Sequence, residues 1–189
     1  MSTNIAAEAA PARPQIDENP FGVRYVEPRH AISLFALLVL AQAENGMAPI
    51  NEQKVKDKIS QGLARRGVII GVIEGRDGLE ASVGMQVVQT WYSDAVHLED
   101  LWNYVHPAYR RSDHAKNLLR FVKWSVDRLN AKAAQAGEPP VPAYLGILTH
   151  DRLEAKMRLY QRELQQVGAV FCYGSDFPGF RNQRRLRLN

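Results

Sequence analysis

Residues 68 to 107 restrict the fold more than any other part of the chain. Two apolar runs, "VIIGVIE" (68–74) and "LEASVGMQVVQTWY" (79–92), flank "GRDG", in which Asp77-Gly78 is a strong hairpin-turn signal. A third run, "AVHLEDLWNYVHP" (95–107), begins shortly afterwards. Because consecutive strands joined by short turns usually pair as neighbours, we predict an antiparallel meander.

Helical patterns lie on both sides of this meander in the sequence. The segments have helical lengths and apolar side chains spaced three or four residues apart, and short apolar runs between them have the length of strands. In chain order we predict a strand at 21–27, helices at 29–44 and 51–67, the meander, a helix from Ala115, a strand at 143–149, a helix from Asp151 to about Val167, and a strand at 169–174. This order predicts one mixed α/β domain.

The composition is that of a globular domain with two polar extensions. Residues 1–18 contain few large apolar side chains, so we expect a disordered extension before a single domain at 19–180. The longest apolar run, Leu34 to Ala41, is far shorter than the roughly 20 residues of a membrane span. No signal-peptide pattern opens the chain, and with its one cysteine, Cys172, no internal disulfide forms. We therefore expect a cytoplasmic protein without a membrane partner.

The segment "HPAYRRSDHAKNLL" (106–119) has the pattern of a strand end, a turn and a helix start. The first N–H groups of a helix lack internal partners and carry positive potential, which suits a phosphate. Two interpretations are open, a phosphate-binding loop and an ordinary helix start capped by Ser112 or Asp113. Three cations would add positive charge to a phosphate-binding loop, without deciding between the two interpretations; they are Arg110, Arg111 and Lys116.

Together with a later helix that bears "RLYQRE" and leads to "VGAVF", this segment resembles the GNAT superfamily of acyl-CoA-dependent N-acyltransferases. Val105 and Pro107 match the end of that family's fourth strand, and Leu159 and Tyr160 match its L-Y pair. The resemblance covers roughly residues 20 to 175, and it implies the GNAT fold, a mixed α+β architecture with a mostly antiparallel central sheet and helices on both faces. It departs from the family pattern at Asp113, which stands where the first loop glycine is usual. It also departs in the eight residues from Tyr160 to Gly168, which predict a longer last helix.

The resemblance implies acetyl-CoA as cosubstrate, with its pyrophosphate over residues 110–116. The implied cofactor-binding residues are Val105, Arg110, Arg111, Ser112, Asp113, His114, Ala115 and Lys116. We expect the side chain of Asp113 to cap the helix and to turn away from the phosphates.

The resemblance also implies direct attack of an amine on the thioester, with the N–H of Val105 on the thioester carbonyl. A carboxylate about eleven residues before the loop is frequent in the family, and Glu99 has that position. Strand alternation places His97, Glu99, Asn103 and Val105 on one face, so Glu99 is our first candidate for the base and His97 the second. Tyr160 would donate a proton to the departing sulfur.

Several alternatives stay open at this stage. "HLED" also fits a polar strand edge without a catalytic role, and Trp91, Tyr92 and Trp102 fit either an acceptor groove or ordinary packing. The histidines lack the spacing of a metal site, so we predict no metal.

A catalytically degenerate GNAT-fold binding protein is the second functional hypothesis. The basic tail 181–189 fits contact with a polyanion or a solvated chain end, and the sequence is compatible with a homodimer.

Overall fold

The structure, a computed structural model, describes residues 19–45, 48–147, 149 and 152–168. Four predictions lie outside these residues: the N-terminal extension 1–18, the first residue of the last helix at Asp151, the last strand at 169–174 and the basic tail 181–189.

The described residues form five strands and four helices, apart from two short 3-10 helices. In chain order they are β1 (Arg24–Tyr25), α1 (Ala31–Asn45), α2 (Glu52–Leu63), β2 (Val68–Gly75), β3 (Gly78–Gln89), β4 (Val96–Val105), α3 (His114–Ala136), β5 (Ala143–Tyr144) and α4 (Leu153–Glu163). No helix in the described ranges has both the length and the apolar character needed to cross a membrane.

The described strands form one sheet in the order β1-β2-β3-β4-β5. All neighbours pair antiparallel except β4 and β5, which are parallel. The predicted meander is therefore confirmed, with a hairpin turn between the paired residues Gly75 and Gly78. Gly78 has a φ of 130°, a conformation that side chains other than hydrogen rarely tolerate.

Helices cover both faces of the sheet, as predicted. On one face α1 and α2 bury their apolar side chains against β2 and β4, and the centre of this cluster is Leu34, Leu37, Ile59, Val68, Ile70 and Val72. On the other face α3 packs against β3 and β4, and the centre is Val83, Met85, Leu98, Leu118, Phe121 and Val122. Of the apolar side chains spaced three or four residues apart along α3, Leu118 and Val122 are buried, and Val126 and Leu129 are partly buried against the same cluster.

Several predicted elements are longer than the structure has them, and the differences matter most in two strands and the last helix. The strand at 143–149 is reduced to Ala143–Tyr144, because the chain leaves β4 where the Gly146 N–H donates to the Asp100 carboxylate at 2.8 Å. The strand at 21–27 is reduced in the same way to Arg24–Tyr25. The last helix ends at Glu163 rather than near Val167, because Leu164 has an extended backbone. The expectation of a longer last helix is wrong.

A β-bulge interrupts the pairing of β4 with β3. Trp102 lies opposite Gly84 and Asp100 lies opposite Met85, so Leu101 is an extra residue in β4. A Cβ on Gly84 would lie 2.5 Å from the indole ring of Trp102, and glycine therefore permits this ring to lie flat on β3. A one-residue bulge reverses the face on which all later side chains lie.

The prediction that His97, Glu99, Asn103 and Val105 share one face of the sheet is wrong, and the bulge is the reason. Before the bulge, His97 and Glu99 face α1 and α2. After it, Asn103 and Val105 face α3. The end of β4 thus presents polar groups on both sides of the sheet.

Candidate functional site

The candidate site lies at the C-terminal end of β4, where the sheet opens. β5 pairs only with Leu98 and Glu99, so the described part of β5 does not cover the later residues of β4. The N–H of His106 donates to the Glu80 carbonyl of β3 at 2.8 Å. Because successive amides of an extended strand point to opposite sides, the N–H of Val105 points away from β3, toward this opening.

The start of α3 forms one side of the opening, and Ser112 caps it. The Ser112 hydroxyl accepts from the His114 N–H at 3.2 Å and donates to the Tyr109 carbonyl at 2.6 Å. Asp113 occupies the N-cap position, but its side chain makes no capping hydrogen bond. The prediction that Asp113 caps the helix is therefore wrong, because the neighbouring hydroxyl of Ser112 has taken that role.

Arg110 forms an ion pair with a residue that is distant in sequence. Its guanidinium donates to both carboxylate oxygens of Glu44, near the end of α1. The Tyr104 hydroxyl donates to the same carboxylate at 2.8 Å. Burial, together with the hydrogen bond and charge of Glu44, raises the pKa of Tyr104 to about 12, although Arg110 opposes the shift. Much of the positive charge of Arg110 is thus balanced within the protein.

Tyr160, on α4, reaches across to β4. The Asn103 side-chain amide donates to the Tyr160 hydroxyl at 3.0 Å, a bond that uses an oxygen lone pair and leaves the phenolic proton to be donated. Burial and the negative charge of Asp100 raise the pKa of Tyr160 above its usual value, and the Asn103 bond opposes them. The phenol is therefore protonated at neutral pH, as a proton donor must be.

These elements enclose a cavity of about 170 Å³ between β4, α3 and α4, which we call the tyrosine cavity. Five of the residues predicted for the site line it: Val105, Arg110, Ser112, Ala115 and Tyr160. Four predicted cofactor-binding residues do not line it: Arg111, Asp113, His114 and Lys116. The imidazole of His114 lies 2.6 Å from the Glu80 carboxylate instead.

A second cavity of about 340 Å³ lies beside the first, between α1, α2 and β4, and we call it the lysine groove. Three of its lining residues, Asn103, Tyr104 and Lys156, also line the tyrosine cavity. Trp102 lines this groove, whereas Trp91 and Tyr92 are exposed and contact each other. The two cavities therefore meet at the end of β4.

Glu99 and His97 form a pair on the side of β4 that faces α1 and α2. His97 is buried, and its Nε2 lies 3.0 Å from the Glu99 carboxylate. Neither side chain lines either cavity. The structure thus brings together the residues predicted for the cofactor carbonyl and for the acid, while the predicted bases lie before the bulge.

Sequence reasoning missed Glu44, and one signal could have found it. A carboxylate in the last turn of a helix is unfavourable there, because the C-terminal end of a helix carries negative potential. Such a residue is therefore expected to have a specific partner elsewhere, here Arg110 and Tyr104. Asn103 was placed on the strand without a role, since its bond to Tyr160 spans two elements far apart in sequence. In the described residues, no three His, Cys, Asp or Glu side chains are grouped in a way that could hold a metal ion.

Comparisons with known proteins give no matching family model and no matching curated protein. Solved structures do match. A predicted acetyltransferase with acetyl-CoA from Clostridium acetobutylicum has a TM-score of 0.56 at 13% identity, over 81% of this chain and 94% of that one. A ribosomal-protein-alanine N-acetyltransferase from Brucella melitensis biovar Abortus has a TM-score of 0.52 at 15% identity, over 82% and 97%.

A third match is AAC(6')-Iy in complex with the bisubstrate analog CoA-S-monomethyl-acetylneamine, with a TM-score of 0.55 at 11% identity over 81% of this chain and 96% of that one. Acetyltransferases recur among the high-probability matches, and they have the GNAT fold. This chain therefore has the GNAT fold, as its sequence motifs predict.

Proposed function

We propose that this protein transfers the acetyl group of acetyl-CoA to a primary amine by direct attack. The observation that carries the proposal is Tyr160, whose protonated phenol is held by Asn103 in a cavity beside the N–H of Val105 and the start of α3. A thioester placed there has a donor for its carbonyl oxygen and an acid for its sulfur. The C. acetobutylicum structure, which contains acetyl-CoA, supports the choice of cosubstrate.

The proposed reaction forms a C–N bond and breaks a C–S bond. The neutral amine attacks the thioester carbon while the Val105 N–H stabilises the developing charge on the carbonyl oxygen. Glu99, or His97 as the second candidate, takes the ammonium proton through water, since neither side chain lines either cavity, and Tyr160 gives its proton to the departing thiolate. Glu99 lies on one face of β4, and Asn103, which holds Tyr160, lies on the other. The base would therefore act on the amine from one side of the strand, and the acid would act on the sulfur from the other side.

The pyrophosphate would lie over residues 110–116, at the first turn of α3. Because Glu44 balances much of the charge of Arg110, the backbone N–H groups of the helix start, with Arg111 and Lys116, supply the remaining attraction for the phosphates. An acetyl-CoA titration followed by thermal unfolding tests this arrangement. An excess of about a hundred times Kd stabilises a protein by about 2.7 kcal/mol, which raises Tm by several degrees.

S-acetylpantetheine, which has the thioester but no pyrophosphate, is the matched control and should give a much smaller rise in Tm. The absence of any shift at millimolar acetyl-CoA would contradict the cosubstrate assignment. A shift without release of free thiol across a broad amine panel would favour the second hypothesis, a GNAT-fold protein that binds CoA without catalysis. Two observations favour this second hypothesis: Arg110 is paired with Glu44, and the carboxylate of Asp113, which makes no capping hydrogen bond, lies at the start of α3.

A further inference from the structure

The lysine groove is lined by positively charged side chains and adjoins the cavity in which the proposed reaction takes place. It adjoins the tyrosine cavity through Asn103 and Tyr104, so a molecule in the groove reaches the end of β4. Three lysines line it, Lys54, Lys58 and Lys156, and the described lining residues include no carboxylate. A cationic amine gains nothing electrostatically from such a wall unless another part of the same molecule is negative.

Lys58 is held by neutral partners. Its ammonium donates to the side-chain carbonyl oxygens of Gln61 at 3.2 Å and of Gln86 at 3.0 Å. An ammonium has three N–H donors, so these two bonds orient the group and leave one donor for a ligand. Two amides fix the position of this charge without neutralising it. A lysine that served only to balance a carboxylate would have an ion-pair partner instead.

Lys54 lies in the first turn of α2, where a cation is unfavourable. The backbone N–H of Lys54 donates to the Asn51 side chain that caps this helix, and the helix N-terminus itself carries positive potential. The ammonium of Lys54 and the N-terminal end of α2 therefore both contribute positive electrostatic potential to this end of the groove. The neighbouring Lys56 differs, because it forms an ion pair with Glu52 at 3.0 Å and does not line the groove.

The floor of the groove between the lysines and β4 is apolar, with Leu38, Val55 and Trp102 among its lining. Its volume of about 340 Å³ is in the range of small-molecule sites, which begin at about 300 Å³. An occupant that fits has an amine at the β4 end, a short carbon spacer over the apolar floor and a negative group at the α2 end.

We infer that the acceptor is a small primary amine that also carries an anionic group, a carboxylate or a phosphate, which Lys54 and Lys58 bind. This inference rests on the proposed acetyl transfer and adds the class of acceptor. It also selects against polyamines, because a second cation would lie against the lysines.

The test is a matched set of amines with acetyl-CoA and the full chain. The set contains 4-aminobutyrate, its neutral amide 4-aminobutanamide and the diamine 1,4-diaminobutane, which share one carbon spacer. Glycine to 6-aminohexanoate varies the spacer, and O-phosphoethanolamine replaces the carboxylate by a phosphate. We expect kcat/KM for the best amino acid to exceed that of its amide by about tenfold or more, and the diamine to be poorest. The phosphate compound decides which anion the groove prefers.

Substitutions of the lysines on α2 test whether the charge of the groove, rather than its shape, binds the acceptor. Lys54→Gln and Lys58→Gln should each raise KM for the anionic amine by about tenfold with little change in kcat, and Lys56→Gln on the same helix should change neither. Lys54→Glu should reverse the order of the amino acid and the diamine.

Two results would overturn the inference while acetyl-CoA still binds: equal or better turnover of the neutral and dicationic amines, or no turnover or binding of any anionic amine. Failure of acetyl-CoA to bind at all would instead overturn the proposed function, and the inference with it.

Discussion

The tyrosine cavity and the lysine groove meet at the end of β4, yet they balance their charges differently. In the cavity, Arg110 is paired with Glu44, and the Tyr104 hydroxyl donates to the same carboxylate. In the groove, Lys58 is held by two neutral amides. A cation beside a cavity is therefore evidence for an anionic ligand only after its existing partners within the protein have been counted. On that count the groove, rather than the cavity wall, has charge to offer.

The largest expected effect is the loss of turnover on substitution of Tyr160, the proposed acid in the tyrosine cavity. Tyr160→Phe should lower turnover by about a hundredfold to ten-thousandfold while acetyl-CoA affinity is unchanged, because the variant removes only the proton for the thiolate. The loss should be similar at pH 7 and pH 9, since a raised pKa keeps the parental phenol protonated at both values. Steady-state kinetics with the best amine measure it, and the exposed Tyr92→Phe is the control. Parental turnover in Tyr160→Phe would remove the acid role.

Two adjacent carboxylates on opposite faces of β4 provide the next test. Glu99→Gln should lower turnover at neutral pH by about a hundredfold or more, and the loss should shrink at high pH, where free amine is abundant. Asp100→Asn should behave differently. The charge of Asp100 contributes to the raised pKa of Tyr160, so its removal lowers that pKa and turnover should begin to fall at a lower alkaline pH.

Profiles of kcat between about pH 6 and pH 11 distinguish the two variants. A neutral-pH loss with alkaline recovery in Asp100→Asn, together with normal turnover in Glu99→Gln, would transfer the base role to the residue on the tyrosine side.

A smaller effect is expected on stability, when the ion pair between Arg110 and Glu44 at the cavity wall is broken. Arg110→Gln leaves the partly buried Glu44 carboxylate without its cation and should lower the free energy of unfolding by about 1–3 kcal/mol. The double variant with Glu44→Gln should recover part of that loss. Urea denaturation measures both, with the exposed Arg111→Gln as control. If Arg110→Gln were no more destabilising than Arg111→Gln, Arg110 would have to be counted as available for the phosphates.

The smallest expected effect concerns the start of α3. Ser112→Ala should lower the free energy of unfolding by about 1 kcal/mol, because it removes the hydroxyl that accepts from the His114 N–H. Asp113→Asn should cost less, since its side chain makes no capping bond, and it should leave acetyl-CoA binding unchanged or stronger by removal of a negative charge. A larger loss of stability in Asp113→Asn than in Ser112→Ala would contradict this assignment of the cap.

The fold was predictable because its signals are local. Alternation around Asp77-Gly78 predicts the meander, and the stripe that includes Leu118 and Val122 predicts α3. The bulge at Leu101 was not predictable in this way, because "EDLWN" reads as ordinary strand until the partner residues of β3 are known. One inserted residue then reverses the face of Asn103 and Val105 and invalidates an argument based on alternation.

The site was predictable only where a family motif covered it. Val105, Ser112, Ala115 and Tyr160 lie in the quoted motifs and line one cavity. Glu44 and Arg110 are 66 residues apart, and Asn103 and Tyr160 are 57 apart, so neither contact has a local signature. The prediction for Asp113 was wrong for a different reason. Two adjacent residues, Ser112 and Asp113, could each cap the helix, and only the backbone geometry decides between them.

Trp102 of β4, whose indole ring packs over Gly84 of β3, is placed to report on the groove by its fluorescence. Its indole N–H donates to the Ser82 hydroxyl at 3.1 Å, which fixes the ring at the wall of the groove. The other two tryptophans are elsewhere: Trp91 is 95% exposed, and Trp124 packs with Tyr25 and Phe121 on the opposite face of the sheet. Emission from Trp102 therefore responds to whatever fills the groove. In a Trp91→Phe background, where Trp124 on the opposite face supplies a constant second signal, the change in emission would follow the arrival of an acceptor in real time, without any attached dye.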